Sequence, residues 1–162
     1  DFETILATAE SLKDKEDINW IILGEGRKYL WVKKEIERRD LSKNVHLLGR
    51  HPIEEMPFYF SKADVMLVTL KRDPVFALTI PAKIQAYMAC AKPIIASLEG
   101  AGAQVVLESG CGIVAEPENY QALSQAVLEI YMMDKEERFF MGQAAKNYYD
   151  NKIGRASCRE RV

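Results

Sequence analysis

An α/β fold is predicted, with a Rossmann-like parallel sheet of about five strands and helices on both faces. Three observations predict it. Short apolar runs alternate with segments of helical period along nearly the whole chain. The runs are continuous rather than alternating, the pattern of strands covered on both faces. No internal repeat, linker or low-complexity segment divides the 162 residues, a length that suits one domain with a real core.

The elements follow in order. Phe2–Leu12 carries a helical stripe of Phe2, Ile5, Leu6, Ala9 and Leu12. After the polar turn Lys13–Asp17, the run Trp20–Leu23 is a strand closed by Gly24. Gly26–Arg39 is helical, with Leu30, Val32 and Ile36 expected inward. Asn44–Leu48 is a second strand, ended by Gly49. Pro52–Lys62 is a short helix. Glu54 and Glu55 favour its first turn, and Pro57 limits its regularity.

Asp64–Val68 is a third strand. Asp73–Ile80 has no regular apolar period and reads as a loop. Pro81, suited to a first helical position, opens a helix running to about Ala91. Pro93–Ala96 is a fourth strand, Gly102–Glu108 a helix and Gly112–Ala115 a fifth strand. Tyr120–Met133 is an amphipathic helix. Lys135–Tyr149 is the last helix, with Phe139, Phe140, Met141 and Tyr148 available for packing.

A net charge of −2 gives no argument for a nucleic-acid partner. No apolar run reaches the length of a membrane span, and the first residues do not read as a signal peptide. Cys90, Cys111 and Cys158 have no metal-ligand spacing, so reduced thiols in a cytoplasmic protein are expected. No metal site and no cofactor are expected either. Asp1-Phe2-Glu3 begins in mid-pattern, which implies a chain cut at its N-terminus. Residues 152–162, KIGRASCRERV, carry four basic residues, one acid and no period. They read as a non-native tail like translated sequencing adapter and are set aside, leaving 1–151 as the domain.

In a parallel sheet, ligands bind outside the carboxyl ends of the strands. The loops that matter are therefore Gly24–Arg27, Gly49–Pro52, Thr69–Pro81 and Ser97–Gly102. Lys83 lies in a helix's first turn, where the dipole disfavours a cation unless an anion sits between. The competing reading is a solvated lysine. Gly24 and Gly26 allow close backbone approach to a ligand, and Arg27 and Lys28 could reach a phosphate. A plain tight turn is the alternative there. Backbone groups near Leu48 could pair with a nucleobase edge. His51 has no visible partner and reads as a solvated loop residue. Asp73–Ile80 could aim N–H groups at a diphosphate, with Thr79 adding a hydroxyl; a mobile lid is the rival. Met56, Phe58, Tyr59 and Phe60 read as packing. Cys90 reads as a buried hydrophobe, and Cys111 has no base to activate it.

Four stretches together carry a resemblance: WIILGEGRKYL, NVHLLGRHPIEEMPFYFSKADVMLVTL, IPAKIQAYMACAKPIIAS and ESGCGIVAEPENYQALSQAVLEIY. The chain resembles the C-terminal, nucleotide-sugar-binding domain of retaining family-four glycosyltransferases, one half of the two-domain GT-B fold. It is most similar to the branch that builds bacterial surface polysaccharide. Members there share the pattern formed here by Pro81, Lys83, Tyr87, Met88 and Ala89. The resemblance covers about Phe2 to Tyr149.

The resemblance implies that Gly24, Gly26 and Arg27 lie near the donor's phosphates or sugar. It implies that backbone near Leu48 meets the base, expected to be uracil. Leu78, Thr79, Ile80 and Lys83 would hold the diphosphate. The two glutamates of the wider family fall on Leu78 and Ala86, so the usual sugar and ribose contacts do not carry over. Gln85, one position earlier, offers an amide to the ribose. Ala91 stands where a glycine is usual, which demands a negative φ. The implied function is transfer of a hexosyl group from a UDP-sugar to a glycan or lipid-linked acceptor. The acceptor domain and this domain's first strand would lie upstream. The chain alone is expected to be inactive, and membrane contact to come only through the missing domain, at the inner face.

Two rivals remain. A nucleotide-sugar 2-epimerase shares the architecture but wants histidine and acid together in the cleft. A flavodoxin-like signalling module wants an acidic pair after the first strand and an aspartate ending the third, whereas Asp64 begins it.

Overall fold

The computed structural model describes residues 1–153. Most of the tail set aside above, residues 154–162, lies outside the described residues. Eight α-helices and five strands occur among the described residues. They are α1 (Phe2–Ser11), β1 (Trp20–Leu23), α2 (Tyr29–Arg38), β2 (Val45–Gly49), α3 (Met56–Lys62), β3 (Met66–Thr69), α4 (Pro74–Ala77), α5 (Ala82–Ala89), β4 (Ile94–Ser97), α6 (Ala101–Ser109), β5 (Gly112–Ala115), α7 (Tyr120–Met132) and α8 (Lys135–Tyr148). A 3₁₀ turn, Ile53–Glu55, leads into α3, where Pro57 sits in the first turn.

All strand pairings are parallel, as expected. The expected single sheet is instead two: β1 pairs with β2, and β3-β4-β5 form a three-stranded sheet. One edge each of β1, β2, β3 and β5 therefore carries no strand partner among the described residues. The N–H groups of Trp20 and Gly24 point to the β2 side, so by alternation those of Ile21 and Leu23 point to the other edge.

The core follows the pleat of β4, which is buried along its whole length. Ile94 and Ala96 face α5, α6 and α8 with Ile84, Met88, Val106 and Ala145. Ile95 faces the other way, onto Leu123, Ala126 and Ile130 of α7. A separate cluster of Leu6, Ala9, Val32, Ile36, Leu41 and Val45 joins α1 and α2 to the small sheet. The two parts meet where α1 packs on α7. There the Ser11 and Ser124 hydroxyls are 2.7 Å apart, and Thr8 donates to the Tyr120 carbonyl at 3.4 Å.

Several expectations are corrected. Leu30 is 71% exposed, because it lies about 200° around the helix from Val32 whereas Ile36 lies only about 40° away. Ile21 is more than half exposed, so β1 is not covered on both faces. Asp73–Ile80 is not all loop: Asp73 accepts from the Val75 N–H at 2.8 Å and caps the short α4, with Pro74 at its first turn. Pro81 caps α5 rather than opening it as a helical residue. Phe139 and Phe140 are exposed and pack edge to face on each other, while Met141 and Tyr148 do join the core. Phe58 is exposed beneath the Lys62 ammonium, and Phe60 packs edge to face on Tyr87. Cys90 is exposed, since it caps α5 where the helix leaves the core.

Candidate functional site

The carboxyl ends of β1 and β2 are tied together. The Gly24 N–H donates to the Gly49 carbonyl at 2.6 Å, and the pairing register shifts between Ile22 and Leu23. Both glycines have positive φ, +120° and +72°. That backbone suits glycine and turns the chain sharply at the rim. Leu48 lies beside this junction, 41% exposed. Below it is a cavity of about 200 Å³ lined by Phe2, Ile22, Gly24, Gly26, Tyr29 and Leu47. Gly24, Gly26 and Leu48 are thus brought to one rim, with Arg27 exposed alongside.

Leu78, Thr79 and Ile80 form the turn between α4 and α5. Leu78 is 83% exposed. The Leu78 N–H reaches the Val75 carbonyl at 3.4 Å, and the Thr79 N–H reaches that of Phe76 at 3.3 Å; both are long. Lys83 is exposed in the first turn of α5. Gln85 is half-buried and lies about 200° around the helix from Lys83, so the structure does not bring these two together.

A bridge between the two groups of loops runs through the start of α1. Lys28, in the loop after β1, donates to Glu3 at 2.7 Å. Lys71, in the loop after β3, has its ammonium 3.9 Å from the other Glu3 oxygen. The Glu3 carboxyl is held below its ordinary range, first by the Lys28 hydrogen bond. Lys28 and Lys71, from two loops, therefore meet at the Glu3 carboxylate in the first turn of α1. The positive end of the helix dipole adds to that field. Lys71 escaped the sequence reading. The available signal was a lysine two residues past the end of the third strand.

His51 does have a partner. Its Nδ1 is 2.9 Å from Glu55 Oε2, one helical turn on, and its Nε2 is 3.0 Å from the Leu48 carbonyl. The Tyr59 hydroxyl lies 3.0 Å from the same Nδ1. Both ring nitrogens are engaged.

The segment after β3 is tethered to the β5–α7 turn. The Arg72 guanidinium pairs with Glu116, and the Arg72 N–H donates to Glu118 at 3.1 Å. Asn119 also donates to Glu116 at 2.8 Å, and that hydrogen bond, followed by Arg72, holds the Glu116 carboxyl below its ordinary range. Among the described residues, no group of three His, Cys, Asp or Glu side chains is placed to hold a metal ion. No helix among them is long and apolar enough to cross a membrane.

Comparison with known proteins adds three findings. A family model described as glycosyl transferases group 1 matches residues 1–148. An uncharacterized glycosyltransferase of Methanocaldococcus jannaschii is 26% identical over 139 residues; the match takes in 86% of this chain and 37% of the relative's length. Among solved structures, a mutant of S. aureus TarM, in complex with fondaparinux, alpha-GlcNAc-glycerol and UDP, superposes with a TM-score of 0.81 at 18% identity. That match covers 98% of this chain and 31% of the other. The C-terminal domain of a glycosyl transferase group 1 family protein, LpcC, from Francisella tularensis gives a TM-score of 0.73 at 20% identity, covering 93% and 78%.

Proposed function

The chain belongs to the glycosyl transferases group 1 family, and from that premise we propose that its rim binds the nucleoside diphosphate of a sugar donor, with UDP as the nucleotide. The observation that carries this reading is the meeting of Lys28 and Lys71 at the start of α1, with Lys83 exposed in the first turn of α5. In glycosyl transfer, the bond from the anomeric carbon to the diphosphate oxygen breaks and the leaving group gains negative charge. Fixed cations and N–H dipoles aimed at those oxygens lower the barrier. Lys83 and the Leu78–Ile80 amides supply them from one side. Lys28, Lys71, Arg27 and the Gly24–Gly26 backbone supply them from the other. Leu48 lies where a base edge could meet the backbone, and Gln85 stands as the candidate for the ribose. The UDP held by TarM supports the choice of nucleotide.

In this reading residues 1–151 are the donor-binding domain of a longer transferase, whose acceptor is a glycan or a lipid-linked glycan. A preceding strand would pair with the free edges of β1 and β3, and a separate domain would carry the acceptor. The 162-residue chain alone would then bind donor without turning it over. The 2-epimerase alternative gains a histidine–acid pair in His51 and Glu55. Both nitrogens of that ring are held within the loop, by Glu55 and the Leu48 carbonyl, which favours a structural role for the pair.

The test is ligand-linked melting of the 162-residue chain. UDP at about a hundred times its Kd should add about 2.7 kcal/mol of stability. Lys83→Ala should remove most of that gain while leaving the unliganded melt unchanged. Absence of any shift with uridine, guanosine or adenosine diphosphate at millimolar concentration would overturn the reading.

A further inference from the structure

The turn between β4 and α6 presses on the Asp73–Pro81 segment at two points. Gly100 has φ +77°, and a Cβ there would stand 2.1 Å from the Ala77 carbonyl oxygen and 2.5 Å from the Ala77 Cα. A Cβ on Gly102 would stand 2.9 Å from Pro81 Cδ, 3.0 Å from Leu98 Cδ1 and 3.3 Å from Ile84 Cδ1. Ala77 immediately precedes Leu78, and Pro81 immediately follows Ile80. Two glycines separated by one residue thus back the two ends of the tripeptide Leu78-Thr79-Ile80. The entry to the segment is fixed as well, by Arg72 on Glu116 and Glu118. Leu78 and Thr79 have little else to hold them: both are exposed and make only long backbone hydrogen bonds, whereas Ile80 packs against the core.

We propose that Gly100 and Gly102 are positioning residues that set where the Leu78–Ile80 amides and Lys83 stand. They allow backbone-to-backbone approach on one side and approach to the Pro81 ring on the other, so the turn is held from behind. The consequence for diphosphate binding rests on the donor reading above. N–H dipoles act on a developing charge only if they are aimed before it appears, and small displacements forfeit much of the effect.

Three variants of the 162-residue chain test this. Gly102→Ala makes the milder clash, against side chains. Gly100→Ala makes the harder one, against backbone, and is informative if it folds. Gly110→Ala is the control: Gly110 also has positive φ, +64°, at the far end of α6, but nothing lies within 4 Å of its added Cβ. It imposes strain without touching the segment. Two quantities are measured well below each melting point: amide hydrogen exchange at Leu78, Thr79 and Ile80 without ligand, and the Kd for UDP. Gly102→Ala should speed exchange at those amides about tenfold and weaken UDP about tenfold. Gly110→Ala should lower the melting temperature and leave both readings within about twofold. Wild-type exchange in a folded Gly102→Ala chain, or equal acceleration in Gly110→Ala, overturns the proposal. If exchange responds as expected but no form of the chain binds UDP, the donor reading fails and the buttress stands.

Discussion

Ala91 has φ +54°, against the expectation of a negative value. The reason lies in how α5 ends. The Lys92 N–H reaches the Tyr87 carbonyl at 3.2 Å and the Ala91 N–H reaches that of Met88 at 3.0 Å. That is a Schellman ending, which requires a left-handed residue at this position. An L-alanine pays a steric penalty there that glycine avoids. Ala91→Gly should therefore stabilise the chain by about 1 kcal/mol in urea denaturation. Glu116 gives a pH dependence. Its folded-state pKa is depressed from the ordinary 4.5, so the Arg72 tether contributes fully above that value and is lost as pH falls through the folded value. Glu116→Gln should lower the melting temperature at pH 7, and the difference from wild type should shrink as the carboxyl becomes protonated at acid pH. Burial pushes the Cys111 thiol up. Iodoacetamide at pH ~8 should label Cys90 and spare Cys111 in the folded chain, read site by site by mass spectrometry.

At the scale of elements, the strands and long helices were legible because continuous apolar runs and a 3.6-residue period are local signals. What failed needed angular or tertiary information. Leu30 matches the composition of an inward residue but not the angle. The cap at Asp73 was present in the letters Asp-Pro, yet four residues are too few to show a period. The meeting of Lys28 and Lys71 at Glu3 was invisible because it joins three segments far apart in the chain. A helix-ending role for Lys92 was equally hidden: its ammonium donates to the Ser61 and Ala63 carbonyls at 2.9 and 2.7 Å, satisfying the last turn of α3. Lys92→Met keeps the stem and removes the donors, so it should cost about 1–2 kcal/mol by chemical denaturation. An unchanged midpoint would show that water replaces the ammonium without loss.

For the whole molecule, the two sheets hold together through helices rather than through a strand ladder. The small sheet buries one face only and has its own core cluster, so it should open first. Amide exchange at Ile22 and Leu47 should be faster than at Ile95 and Ala96, and equal protection would refute that hierarchy. The unpaired edges of β1 and β3 are templates for another chain. Light scattering should show mass rising with concentration, while a strict monomer at all concentrations would count against it. The parallel pairings have a kinetic corollary. Trp20 must find Val45, Met66 must find Ile94, and a helix intervenes each time. No strand can zip up with its immediate successor through a tight hairpin, so every rung of the ladder waits on closure of a long segment. Helices should form within microseconds after dilution from denaturant, and the sheet should follow on a timescale of about milliseconds to seconds.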